Sequence, residues 1–252
     1  MDDQLDITQF DDVKVDVQAV SSKKLTQLID KAKTKLRNDK KLVYVIISAG
    51  ICDLTIRKSY GTIRELQYYH DDANIDSLKE KIRNIYSSFP GRINIATIYP
   101  ASLEKYYEHH NKIEQLTPAK EQQEELLKDI EEINEVIVQC NKDTGTQTIN
   151  LARIFYSSSK KKKEGKRVIK FMPKYLPDGV HPADDSDQCT HPEGTIKNRC
   201  FKRINIVLIS ELNRLLVPEH DNCGANAESS QSESEETEVW NRRRLRPRAR
   251  RC

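Results

Sequence analysis

Residues Lys41–Thr55 read KLVYVIISAGICDLT, and this stretch decides the fold that the sequence predicts. Seven of the eight residues from Leu42 to Ala49 are apolar or aromatic. Such a run is typical of a strand buried on both faces, at the centre of a parallel sheet covered by helices. Ligands gather just beyond the carboxyl ends of the strands in open α/β sheets, so Gly50–Thr55 is the first place to look for function.

Segments with the helical period alternate with segments of strand character along the rest of the chain. This alternation predicts an α/β fold, a three-layer α/β/α sandwich with right-handed crossovers. The predicted elements are an edge strand at Val13–Val20, a helix at Lys23–Asn38, the strand Leu42–Gly50, a loop through Gly61, a helix at Ile75–Ser87, a strand at Ile93–Pro100, helices between Leu103 and Cys140 with a break near Thr117–Pro118, a strand at Thr148–Tyr156, a short strand at Val168–Met172 and a last helix at Thr195–Leu216.

The second half of the long helical region carries apolar residues at 4-3-4-3 spacing. Two heptads are too few to predict a coiled coil, so the stripe either faces the core or receives a partner helix. Its members are Leu126, Ile130, Ile133, Ile137 and Cys140.

Composition favours an intracellular protein, in the cytoplasm or the nucleus. No run reaches the roughly 18 apolar residues of a membrane helix, and the start MDDQLDITQF is acidic where a secretory signal is basic and then apolar. The six cysteines include no C-x-x-C pair and are expected to be reduced. Cys189, His191, Cys200 and nearby His181 match no standard zinc spacing, so we predict no metal and no cofactor.

Charge divides the chain into three parts. The net charge is +3, yet residues 241–252 hold seven arginines, which leaves −4 on the other 240 residues. We expect an acidic arm at 1–11, an α/β domain at 12–218, and a disordered tail at 219–252 that is first Ser/Glu-rich and then Arg-rich. The basic groups Lys160, Lys161, Lys162 and Lys163 and Arg242, Arg243 and Arg244 are candidate contacts for nucleic-acid phosphates; a nuclear-localisation signal or a solubilising run is the alternative.

The sharpest local motif is Asp178-Gly-Val-His181. A carboxylate three residues before a histidine can accept from the imidazole Nδ1–H and leave Nε2 free to take a proton from a nucleophile. The alternative is a hydrogen bond that only stabilises a turn. His109 and His110, in the charged segment YYEHHNK, are expected to be solvated surface.

Taken with AGICDLT, this motif resembles the SGNH (GDSL-type) hydrolase and esterase family over roughly Val13–Leu216. The resemblance implies a flavodoxin-like parallel sheet. Gly50 and Asp53 match the family's third block, G-x-N-D, and Asp178 and His181 match its fourth, D-x-x-H. It implies that His181 is the general base, that Asp178 orients it, and that Gly50, Cys52 and Asp53 form the oxyanion region.

The sequence departs from the family at the nucleophile. No Gly-Asp-Ser triplet occurs, and the strand Val13–Val20 suits the family's second strand, so its first strand is missing. Ser21 or Ser22 then stands where the second-block glycine would be, and Cys52 replaces the oxyanion asparagine with a weak donor. A Cys52–His181 pair is a conceivable substitute. We expect a catalytically inactive binding module, with nucleic acid as its partner through the basic tail. The alternative is an ester hydrolase whose nucleophile segment is missing from this sequence.

Overall fold

The computed structural model describes residues 16, 18, 22–41, 44–69, 71–111, 120–160, 167–183 and 195–216, which form a mixed α/β structure. The elements in these ranges are α1 (Leu25–Asn38), β1 (Val45–Ile47), α2 (Ile51–Leu54), β2 (Thr55–Tyr60), β3 (Ile63–Tyr68), α3 (Asp72–Ser88), β4 (Ile93–Ile95), α4 (Leu103–Asn111), α5 (Lys120–Asp143), β5 (Tyr156–Lys160), β6 (Arg167–Phe171) and α6 (Ile196–Leu216), with short 3-10 helices at Ala152–Phe155 and Pro173–Tyr175.

The predicted central strand forms one half of a parallel pair. β1 pairs with β4 in the register Val45↔Ile93 to Ile47↔Ile95. The pairing continues beyond the strands, because the Ala96 amide donates to the Ile47 carbonyl at 2.8 Å and the Thr97 amide donates to the Ile149 carbonyl at 3.0 Å. β1 ends at Ile47, before Gly50 where the predicted strand ends, and α2 begins directly after Gly50.

Apolar clusters lie against both sides of this parallel pair. Ile47 and Ile95 pack into a cluster with α1, α3 and α5. Ile46 and Ala96 belong to a second cluster, with the 3-10 helix Ala152–Phe155 and α6. The α5 stripe is confirmed as core-facing, since its members are all buried: Leu126, Ile130, Ile133, Ile137 and Cys140.

The expected loop through Gly61 is instead the turn of an antiparallel hairpin. β2 pairs with β3 from Thr55↔Tyr68 to Tyr60↔Ile63. β2 is mostly exposed, so hydrophobic patterning does not mark it as a strand. Gly61 supplies the turn with a φ of +61°.

The predicted strand Thr148–Tyr156 is wrong over most of its length. Residues 148–151 are not part of a strand, residues 152–155 form a 3-10 helix, and β5 begins only at Tyr156 and pairs antiparallel with β6. Side-chain oxygens cause the turn: the Ala152 amide donates to the Thr97 hydroxyl at 3.0 Å, and the Arg153 amide donates to Asn150 Oδ1 at 3.1 Å. The side chains of Asn150 and Thr97 thus accept from amides that a strand would use in its ladder.

Several predictions fall outside the described residues. These are the acidic arm 1–11, the edge strand Val13–Val20 apart from Asp16 and Gln18, the break near Thr117–Pro118, and the tail 219–252. Asp16 and Gln18 accept hydrogen bonds from Lys35 and Lys31 on α1. In the described ranges, none of the helices is both long enough and apolar enough to cross a membrane.

Candidate functional site

The Asp178–His181 turn is built as the motif predicts. Asp178 Oδ1 accepts from the amides of Val180 at 2.9 Å and His181 at 2.6 Å. Its other oxygen, Oδ2, lies 2.5 Å from His181 Nδ1. The His181 side chain is 70% exposed, so Nε2 faces solvent. One carboxylate therefore fixes both the turn and the imidazole that the turn carries.

Gly179 allows this turn to dock on α4. The Ser102 amide donates to the Gly179 carbonyl at 2.7 Å. Gly179 has a φ of +82°, and a Cβ there would lie 2.3 Å from the Tyr106 backbone nitrogen and 2.5 Å from the Ser102 carbonyl oxygen. Only glycine fits such a close approach of two backbones. The turn that carries His181 is consequently held against the first turn of α4.

The pair shifts both pKa values in opposite directions. Burial alone would raise the pKa of Asp178, but the His181 imidazole and the His181 and Val180 amides hold it well below its usual range. The hydrogen bond that His181 donates to Asp178 raises the pKa of His181, against the opposing effects of partial burial and of the Arg57 charge. The arrangement favours an imidazolium paired with a carboxylate.

The structure places the predicted oxyanion residues at the end of β1. Gly50 has a φ of +137°, and a Cβ there would lie 2.3 Å from Ile98 Cδ1. Asp53 is buried and accepts from the Leu25 amide at 2.6 Å and from the Thr26 hydroxyl at 3.2 Å. Burial raises the pKa of Asp53 while these donors at the start of α1 lower it. Asp53 thus fastens α1 to the turn after β1.

Cys52 is partly buried beside this carboxylate. Burial raises the pKa of the Cys52 thiol, and the charge of Arg57 opposes that rise. A raised pKa leaves the thiolate, the nucleophilic form, poorly populated near neutral pH. Within the described residues, the hydrogen-bond partner of the His181 side chain is Asp178 and not a hydroxyl or a thiol.

Both predicted segments contact the stretch between β4 and α4, residues 96–102. Gly50 packs on Ile98 and Gly179 packs on Ser102. Tyr99 lies between these two contacts. Burial raises the pKa of Tyr99 to about 12, and the charges of Asp178 and Cys52 add to the rise. The two halves of the motif therefore converge at one end of the parallel pair.

Sequence reasoning missed Arg57 and His110 at this site. Arg57 lies on β2, and its charge acts on Cys52, on His181 and on His110. The sequence predicts that His110 is solvated surface, but its side chain is partly buried. Its ring packs against the Tyr106 ring at 4.3 Å between centroids, with the two planes tilted by 50°. One sequence signal could have located Arg57: a glycine, Gly61, between two segments with strand-forming residues indicates a hairpin.

Of the predicted nucleic-acid contacts, the structure describes Lys160 alone. Lys160 ends β5, and Lys161, Lys162, Lys163, Arg242, Arg243 and Arg244 lie outside the described ranges, as do Cys189 and His191. In the part of the chain that the structure describes, no group of three His, Cys, Asp or Glu residues is arranged to hold a metal ion.

Comparison of the chain with protein-family models, with curated proteins and with solved structures found no match.

Proposed function

We propose that the chain is an SGNH-hydrolase-like domain that keeps the general-base half of a hydrolase site and binds ligands without turning over esters. The observation that carries the proposal is the Asp178–His181 pair, in which Nδ1 is held at 2.5 Å and Nε2 faces solvent. Support for the three-layer, flavodoxin-like sandwich comes from the apolar clusters on both sides of the β1–β4 pair. A location in the cytoplasm or the nucleus belongs to the same proposal.

Chemistry disfavours turnover by these residues. The sequence has no Gly-Asp-Ser triplet. In hydrolases, loss of the nucleophile costs a factor of about 10⁶ in kcat. Loss of one oxyanion donor costs about 10²–10³. Cys52 offers a weak donor in place of an asparagine, and burial raises the pKa of its thiol.

An esterase assay tests the silent site. We expect residues 1–252 to hydrolyse short-chain p-nitrophenyl esters no faster than the His181→Ala variant. His181 is exposed, so this variant should fold and is a fair control. Turnover that His181→Ala removes would overturn the proposal and would favour Cys52 as the nucleophile, which Cys52→Ser would then test.

A complete ester hydrolase is the second candidate, favoured by the intact geometry of the Asp178–His181 pair. In that case a strand ending in Gly-Asp-Ser would lie in a longer transcript of the same gene. Sequencing the transcript upstream of Met1 and assaying the extended protein distinguishes the two candidates. Activity that depends on both the new serine and His181 would replace the binding proposal.

Nucleic acid is the partner that we propose for the binding module. The supporting feature is the density of arginine in residues 241–252, which favours salt-dependent contacts with phosphates. Deletion of residues 241–252 should weaken retention of RNA or DNA and flatten its salt dependence. Equal retention by the truncated and the full chain would rule out the tail as the contact.

A further inference from the structure

Two neighbouring cations on β2, Arg57 and Lys58, lie on opposite faces of the β2–β3 hairpin. Residues opposite one another on antiparallel strands share a face of the sheet. Arg57 pairs with Leu66, which is 5% exposed and belongs to the core cluster. Lys58 pairs with Glu65 on the other face. Arg57 therefore emerges on the inward face of β2, while Lys58 emerges on the outward face.

Contacts with α4 hold the hairpin against the helix that carries His110. β3 packs along α4. The Asn111 side chain at the end of α4 accepts from the Arg64 amide at 2.7 Å and donates to the Arg64 carbonyl at 2.8 Å. One turn earlier, Tyr106 contacts the His110 ring through its own ring and Gly179 through its backbone. The hairpin, α4 and the Asp178–His181 turn thus meet around Tyr106.

Two arginines, Arg57 and Arg64, and one carboxylate, Asp178, act electrostatically on His110. Burial is the largest cause that lowers the pKa of His110. The charges of His109, Arg64 and Arg57 lower it further, and the charge of Asp178 opposes them. Asp178 already accepts three hydrogen bonds within its own turn. Asp53, the other nearby carboxylate, accepts at the start of α1, next to Lys24. In the described residues, neither of these carboxylates accepts a hydrogen bond from Arg57, so the guanidinium can donate to an anion.

We propose that Arg57, His110 and His181 form a binding site for a phosphate group. A guanidinium offers paired donors that match phosphate oxygens, and His181 offers Nε2 to the same solvent-facing space. The inference rests on the proposed function, because it names the ligand chemistry of the same site. A nucleic-acid backbone and a free phosphorylated molecule share this chemistry.

Titration of the full chain with inorganic phosphate tests the site. The imidazole Hε1 resonances of His181 and His110 should shift saturably, because a bound anion favours both imidazolium forms. Arg57→Gln should weaken this binding about tenfold or more, since it removes charge-assisted hydrogen bonds. Lys58→Gln removes the same charge from the opposite face and should change binding by no more than about twofold.

Sulfate serves as a probe that stays a dianion as the pH changes. Its affinity should fall as the pH rises through the pKa of His181, which loses its charge, while the charges of Arg57, Arg64 and Lys24 remain. A pH-independent affinity, unshifted histidine resonances, or equal losses in Arg57→Gln and Lys58→Gln would overturn the phosphate site.

Oligonucleotides distinguish the sources of the phosphate. Arg57-dependent shifts at His181 with a short oligonucleotide indicate a phosphodiester ligand, and shifts with inorganic phosphate alone indicate a small phosphorylated molecule. Either outcome supports the site. Failure here leaves the esterase result and the effect of the tail deletion unchanged, so it is separable from failure of the proposed function.

Discussion

At the scale of single residues, Asp178 links the shape of a turn to the protonation of an exposed imidazole. Three hydrogen bonds that the Asp178 carboxylate accepts lower its pKa, and together they outweigh the effect of burial, which would raise it. The same carboxylate raises the pKa of His181. A group with a raised folded-state pKa stabilises the protein most below its unfolded-state value, and that stabilisation is lost as the pH rises through the folded-state value.

Asp178→Asn should lower the pKa of His181, because the asparagine oxygen can still accept from the Val180 and His181 amides but a neutral amide cannot attract an imidazolium as a carboxylate does. Between about pH 4 and about pH 6.5, the ordinary pKa values of aspartate and histidine, wild type should exceed the variant in free energy of unfolding. That advantage should shrink as the pH rises through the His181 pKa. Histidine NMR titrations and urea unfolding at several pH values measure both effects.

Glu108→Gln provides the matched control for this prediction. Glu108 pairs with Lys105 on α4 and lies on the same element as His110, yet makes no contact with the Asp178 turn in the described residues. Its replacement should leave the His181 pKa unchanged. A His181 pKa that is equal in wild type and Asp178→Asn would show that the hydrogen bond at 2.5 Å does not hold in solution.

At the scale of elements, side chains of α5 make the hydrogen bonds to the backbone after β4 that a neighbouring strand would otherwise make. Asn134 on α5 accepts from the Ile98 amide at 2.7 Å and donates to the Ile98 carbonyl at 2.9 Å. Gln123, also on α5, accepts from the Leu103 amide at 3.0 Å and donates to the Ala101 carbonyl at 2.9 Å. An amide side chain presents the same donor and acceptor as a peptide group. The backbone that both halves of the site contact is thus fixed by α5.

Asn134→Ala should lower the free energy of unfolding by about 2 kcal/mol, because it leaves a buried amide and a buried carbonyl without partners. It should also speed hydrogen exchange at the Ile98 amide. Gln139→Ala, at an exposed position on the same helix, should change stability by no more than about 0.5 kcal/mol. Equal losses in urea unfolding for the two variants would contradict the role of Asn134.

The elements differ in how far the sequence predicts them. α1, α3 and the buried stripe of α5 follow from apolar residues at helical spacing, which tertiary contacts then reinforce. The Asp178–His181 turn is predictable because its contacts span three residues. Arg57 and Asn134 are not, since β2 is exposed and the partner of Asn134 is 36 residues away. Such long-range pairings carry no local signal.

At the scale of the whole molecule, the last helix closes onto two distant turns. Glu211 on α6 is 3% exposed and accepts from the Gln147 amide at 2.9 Å and from Arg214 Nε at 2.7 Å. Arg214 also donates to the Gly91 carbonyl at 2.8 Å. Gly91 follows α3 and Gln147 follows α5. The Glu211–Arg214 ion pair therefore connects α6 to Gly91, just before β4, and to Gln147, just after α5.

Arg214→Met should lower the free energy of unfolding by about 3 kcal/mol, because it leaves Glu211 buried without its cation. This figure is the lower end of the usual range, as the Arg214 side chain is 42% exposed. Adding Glu211→Gln to Arg214→Met should recover part of the loss, since the neutral amide can still accept from Gln147 and no charge remains buried. Arg203→Met, an exposed position on α6, should change stability by no more than about 0.5 kcal/mol. Urea unfolding of wild type, Arg214→Met, Glu211→Gln, their double variant and the Arg203→Met control measures the coupling. Strictly additive losses from Arg214→Met and Glu211→Gln would mean that the two side chains stabilise the fold independently.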